Sequence, residues 1–493
     1  KTFFGHPRGL ATLFFTEMWE RFSYYGMRAL LVLFMVATVE QGGFGMSDEV
    51  ATAIYGLYTA AVYLFALPGG WAADRLFGAR KAVLYGGILI AAGHFSMAFP
   101  SKPTFFLGLI LIVLGTGLLK PNVSAVVGDL YPEGGARRDA GFSIFYMGIN
   151  LGAFIGPLIC GFLGENVDWH LGFAAAGFFM VIGVIQFKLT EGYLGTIGLA
   201  PGHGTSDPVI EREKRRTRML LGVGTAIFGL IVLLALTGIL EIDALAVAKS
   251  AAYVILGLAL VFFIYVFAFG HLTPVEKKRT AAIAVFFVFS MFFWSGFEQA
   301  GSSLNLFAER FTDRGLFGWE MPASWLQSIN PIFIIILAPV FGQMWIWLSS
   351  RRKEPSSPAK FAIGLVSLGL GFFVMVGAAN VAAAGDMAMP TWLIFTYLLH
   401  TTGELALSPV GLSLTTKLAP KRFASQMMGV WFMSISLGNL VAGLIAGVLS
   451  AGGGEDVEAL PDLFMTVTLV TVGAGLVLAL LIKPIRKLMP GVH

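Results

Sequence analysis

Glu17-Met18-Trp19-Glu20-Arg21-Phe22-Ser23-Tyr24-Tyr25-Gly26 sets two carboxylates and a guanidinium inside an apolar run from about 10 to 38. That run is long enough to cross a bilayer, which takes roughly 20 residues at 1.5 Å rise each. At about 100° per residue, Glu17, Glu20, Arg21, Tyr24 and Arg28 share one face of the helix, with Tyr25 at its edge. The other faces carry Leu, Phe, Met, Val and Ala. A charge at membrane depth costs several kcal/mol, so this face must look inward at partners or water. The helix is expected to line a cavity.

Working outward, the chain of 493 residues is 56% hydrophobic and only 13% charged, against about a quarter charged in soluble proteins. Its 61 glycines suit close helix contacts in lipid. With a net charge of only +4 and basic residues not gathered into a nucleic-acid patch, no nucleic-acid partner is expected. The lone Cys160 excludes an intrachain disulfide. The first residue is Lys rather than Met, so further residues are expected upstream, and the first apolar run is too long and too polar for a cleavable signal peptide.

Spanning-length runs fall at about 10–38, 50–73, 82–99, 104–127, 140–163 and 170–188. After a polar stretch with the charge run Glu211 to Arg218 come 219–240 and 247–270. Six more follow, at 280–302, 323–349, 360–381, 390–416, 423–450 and 462–483. The expectation is an all-α membrane protein of fourteen spans, read as six, two, six. With both termini cytoplasmic, 26 of the 33 Lys and Arg lie on inside segments and four outside, the bias the positive-inside rule demands. Arg21, Arg28 and Lys120 remain at membrane depth. Two six-helix halves define a major facilitator fold. The domains are then 1–188, a linker with two additional helices over 189–271, and 272–493.

Few polar residues interrupt the other runs: Tyr63, Lys120, Tyr146, Asn150, Trp294, Glu298, Gln299, Asn330, His400, Glu404, Trp431 and Asn439. A single buried Asn or Tyr commonly joins helices, and His94 and His400 are expected to be packed or hydrogen-bonded. Lys120, Glu298 and Glu404 are functional by default at that depth. The N-terminal half supplies cations and the C-terminal half only Glu298 and Glu404, so a zwitterion would bridge opposite walls. Substrate binding would compete with salt bridges between halves.

Glu17-x-x-Glu20-Arg21-Phe22-x-Tyr24-Tyr25-Gly26 resembles the first-helix signature of the proton-dependent oligopeptide transporter family, a branch of the major facilitator superfamily. Phe145-Tyr146-x-x-Ile149-Asn150-x-Gly152 resembles its fifth-helix signature, and Gly69 to Gly87 its long loop motif. The two extra helices are like those of bacterial members. The resemblance implies a proton-coupled symporter importing di- and tripeptides by alternating access across a bacterial cytoplasmic (inner) membrane, with a monomer sufficient for transport. Arg21, Tyr25 and Lys120 would hold the peptide carboxylate, and Asn150, Asn330 and Glu404 its ammonium. Tyr24, Tyr63, Tyr146, Trp294 and Trp431 would wall side-chain pockets. Arg28 and Glu298 would form a gate pair. Glu17, Glu20 and Glu298 would carry the proton.

Other small anions or zwitterions such as nitrate stay open as substrates, and a peptide sensor is a further alternative. Against an enzyme stand the scattered histidines, the missing H-E-x-x-H motif and the lack of a nucleophile-base arrangement. No phosphate loop of the G-x-x-x-x-G-K-[ST] type occurs. No cofactor and no metal are expected.

Overall fold

The computed structural model describes residues 2–133, 135–204, 207–455 and 457–492. Among them are fourteen helices of 17 residues or more. They are α1 (Gly9–Val36), α2 (Asp48–Leu64), α3 (Ala79–Met97), α4 (Lys102–Asp129), α5 (Gly135–Asn166), α6 (Trp169–Thr190) and α7 (Pro208–Leu236). Then come α8 (Ala244–Phe269), α9 (Pro274–Phe297), α10 (Ile329–Ser350), α11 (Ser357–Ala383), α12 (Pro390–Leu418), α13 (Ala424–Glu455) and α14 (Leu460–Leu480). Eleven segments among the described residues are apolar and long enough to cross a membrane. The others include α1, whose charged face lowers its hydropathy. The only described strands form a small hairpin, Gly315–Leu316 with Trp319–Glu320.

Contacts divide the chain into two compact units, Lys1–Leu30 with Ala61–Asp243, and Leu31–Ala60 with Ala244–His493. In the first, α1 crosses α5 at backbone distance. A Cβ on Gly26 would sit 2.6 Å from Cys160 Sγ, and one on Gly152 would sit 2.9 Å from Phe22 N. Leu10, Leu13, Leu119, Val123, Phe145, Met180 and Phe187 fill the core beside this crossing. At the end of α6, Arg80 donates to the carbonyls of Glu191 (2.6 Å) and Gly195 (2.8 Å), satisfying groups a helix terminus leaves open. Gly78 (φ 75°) makes the turn that puts Arg80 there. The loop motif thus latches onto the end of α6.

In the second unit, α2 packs on α13 through Gly56 and Gly443, and Ser436 Oγ donates to Ala60 O at 2.9 Å. Asn439 Nδ2 donates to Thr59 O at 3.4 Å, the helix-joining role expected of a lone buried Asn.

Two expected continuous spans are broken. The run 50–73 stops at Leu64, restarts over Ala66–Ala72 and ends in a wide turn over Ala73–Phe77. The run expected to end at 302 stops as a helix at Phe297, passes through a tight turn over Glu298–Gly301, and resumes as Ser303–Phe311. The second break is held by side chains. Tyr55 OH donates to Glu298 O at 3.4 Å, and Gln327 Nε2 donates to Ala300 O. Irregular backbone at membrane depth needs such partners.

Candidate functional site

In the first unit the expected face of α1 is buried throughout: Glu17 is 2% exposed, Glu20 0% and Arg21 3%. Helical spacing sets neighbouring residues about 100° apart, yet long side chains close the gap. Arg21 engages both oxygens of Glu20, with Nη2–Oε1 at 2.7 Å, and its Nε lies 3.6 Å from Glu17 Oε1. Its guanidinium also lies 4.6 Å from the Tyr24 ring centre and 5.7 Å from that of Tyr25, while Arg28 lies 4.9 Å from Tyr25. Glu17 Oε2 has no hydrogen-bond partner among the described residues. A buried carboxylate oxygen in that state is ready to take a proton or a donor.

Lys120 is placed differently. It precedes Pro121, inside α4, and the short helix Ala66–Ala72 presses on this level of α4: a Cβ on Gly117 would fall 2.6 Å from Phe65 O. That close approach brings Tyr63 to Lys120, with Nζ donating to the phenol oxygen at 3.3 Å and lying 4.4 Å from the ring centre. No carboxylate of the described residues comes within salt-bridge distance of Lys120. Asn150 is buried and donates to Tyr146 O at 3.0 Å, within α5. Tyr146 is itself 41% exposed.

In the second unit, Asn330 is the second residue of α10, just after a tight helical turn over Ala323–Ser328. Its Nδ2 donates to Glu404 Oε2 at 3.2 Å and to Thr401 Oγ1 at 2.9 Å. Asn330 and Glu404, 74 residues apart in sequence, are therefore brought together. Trp294 and Trp431 are buried. Trp294 stands edge-on to Phe293 and Phe297, and Trp431 to Phe361. His400 packs against Phe372 at 4.9 Å between centroids, as expected of a core histidine. Glu298 is buried at the helix break.

Sequence reasoning missed Tyr55, Thr401 and the bidentate pair Arg310–Asp48, with contacts of 2.5 and 2.7 Å. Thr401 lies one turn before Glu404, a spacing that could have drawn attention to it. The others join segments too far apart in sequence for any periodicity to link them.

Long apolar helices with cations and carboxylates buried among them define a polytopic helical membrane transporter of the major facilitator fold. The model of the POT family matches residues 80–458. A peptide transporter of Yersinia enterocolitica is 45% identical over 505 residues, covering 99% of this chain and 96% of that protein. A di-/tripeptide transporter of Lactococcus lactis is 37% identical, covering 100% and 98%. A crystal structure of peptide transporter POT in complex with sulfate superposes with a TM-score of 0.89 at 41% identity, covering 100% of this chain and 97% of that one. The chain belongs to the POT family. The first-helix signature lies outside the residues that the family model matches but within the aligned relatives.

Proposed function

We propose that the protein is a proton-coupled symporter that imports di- and tripeptides by alternating access. The observation that carries this reading is the buried Glu17-Glu20-Arg21 group with Lys120 in the same unit and in no salt bridge with a described carboxylate. Its relatives' names, peptide transporter and di-/tripeptide transporter, support the substrate class. Arg21, Tyr25 and Lys120 take the peptide carboxylate; Asn150, Asn330 and Glu404 take its ammonium. Tyr24, Tyr63, Tyr146, Trp294 and Trp431 accommodate side chains. Arg28 and Glu298 act as a gate pair.

Because Glu20 occupies Arg21, binding requires an exchange. A proton arriving at Glu17, Glu20 or Glu298 weakens the hold of carboxylate on cation, and the released guanidinium accepts the peptide carboxylate. A potential of ~100 mV supplies ~2.3 kcal/mol per proton, and a pH unit adds ~1.4 kcal/mol. Together they sustain accumulation of several hundredfold for a neutral zwitterion. We place the protein in a bacterial inner membrane with both termini cytoplasmic. The bundles are 1–188 and 272–493, the linker and extra helices are 189–271, and one monomer suffices.

The test is uptake of labelled dipeptide into proteoliposomes, with and without an acid-outside gradient, run beside labelled nitrate. Gradient-dependent accumulation of dipeptide alone is expected. Glu298→Gln should lose accumulation yet retain peptide exchange, and full accumulation in that variant would remove Glu298 from the proton path. Accumulation of nitrate instead would overturn the substrate assignment.

A further inference from the structure

We propose that the N-terminal turns of α7 form a binding site for an anionic phospholipid. The inference is independent of the transport reading. The helix has 29 residues, about 43 Å at 1.5 Å each, against a hydrocarbon core of about 30 Å. Its apolar part from Met219 to Leu236 fills about 27 Å of that depth, so 208–218 stand at headgroup level. None of its apolar span is buried in the protein, so lipid must cover it.

The rotation of α7 is set by two contacts on one side. Thr217 is buried, and Phe228 packs on Phe65 at 6.1 Å. Arg212 and Arg215 lie about 150° away by helical geometry and Arg216 about 110° away, and all three are exposed. Met219, Val223, Ile227 and Leu230 continue that same face and are exposed as well. One stripe therefore runs from guanidinium groups into hydrocarbon, the order of polarity within a phospholipid.

The local acids do not neutralise it. Glu211 is held by Lys214 at 2.9 Å, and Glu213 lies 3.7 Å from Arg75. The three arginines are in no salt bridge among the described residues. Guanidinium groups match phosphate geometry with paired donors, and basic clusters beside a span recruit anionic headgroups.

The experiment reconstitutes the full chain into phosphatidylcholine vesicles carrying trace spin-labelled phosphatidylglycerol or spin-labelled phosphatidylcholine. Electron paramagnetic resonance reads the motionally restricted fraction of each. The expected result is at least threefold preference for phosphatidylglycerol, lost in R212Q/R215Q/R216Q and weakened but not lost in R212K/R215K/R216K. The control R351Q/R352Q/K353Q should keep it, and 10 mM glycerol 3-phosphate should not displace it. No preference in the unmodified protein, or an undiminished one in the glutamine variant, would overturn the proposal. Equal loss in the control would reduce it to general surface charge, and displacement by glycerol 3-phosphate would make the site one for soluble anions; both reject a lipid site.

Discussion

Replacing Lys120 by Ala separates a carboxylate clamp from a merely structural cation. Its ammonium is held by one phenol oxygen at 3.3 Å and by the face of the same ring, a cation–π contact of about 0.5–2 kcal/mol. Arg21, by contrast, is already bidentate to Glu20. Lys120 is therefore the cation that a peptide carboxylate can reach without first displacing an ion pair. A hydrogen bond to a charged group contributes about 1.5–3 kcal/mol, or about 10- to 150-fold in affinity. Lys120→Ala should cost a dipeptide that much, measured as the concentration that half-blocks uptake of a labelled peptide. The same peptide with an amidated C-terminus should lose less than about threefold. Tyr63→Phe keeps the ring and removes the phenol oxygen, so it should mimic little of the loss. The informative quantity is the coupling between the side chain deleted in the protein and the charge deleted in the ligand. If both peptides lose affinity equally, Lys120 does not hold the carboxylate.

Three further outcomes follow from packing and charge. Asp48→Asn and Arg310→Gln should each lower thermal stability, and the double variant should lose less than the two together, with a coupling of about 1–3 kcal/mol for this partly buried bidentate pair; strict additivity in a melting-temperature cycle would mean that the contact contributes nothing. Gly117→Val should destabilise the protein by about 1–3 kcal/mol through overpacking against Phe65, seen as a lowered melting temperature, and an unchanged value would contradict the close helix approach. The hydrogen bond from Lys360 at 2.5 Å holds the Glu354 carboxyl below the usual 4.5. A depressed carboxyl stabilises the fold above its unfolded value and loses that contribution as pH falls through the folded one. The effect at this exposed site should stay under about 1 kcal/mol, so a pH-melting profile should separate wild type from Glu354→Gln only slightly, in full above pH 4.5 and fading as pH falls below it through the lower folded value; a large difference at neutral pH would refute the screened-pair account.

What the residues alone determined is the solvent and the helical periodicity. Fifty-six per cent hydrophobic residues in runs of spanning length leave the backbone one way to satisfy itself in lipid, which is helix. The face of Glu17, Glu20, Arg21 and Arg28 followed from the same period, because positions three, four and seven apart must share a side. Tertiary structure decided the partners. Glu20 rather than Glu17 holds Arg21 most closely, since the choice depends on side-chain rotamers that the surrounding helices select. Asn330 meets Glu404, and Tyr55 supports the break after Phe297, through approaches between chain segments far apart in sequence. The breaks at Phe65 and Glu298 were illegible because hydropathy counts side chains and not backbone hydrogen bonds. A helix can stop at membrane depth only where another segment brings a donor to its carbonyls, and that donor is chosen by packing.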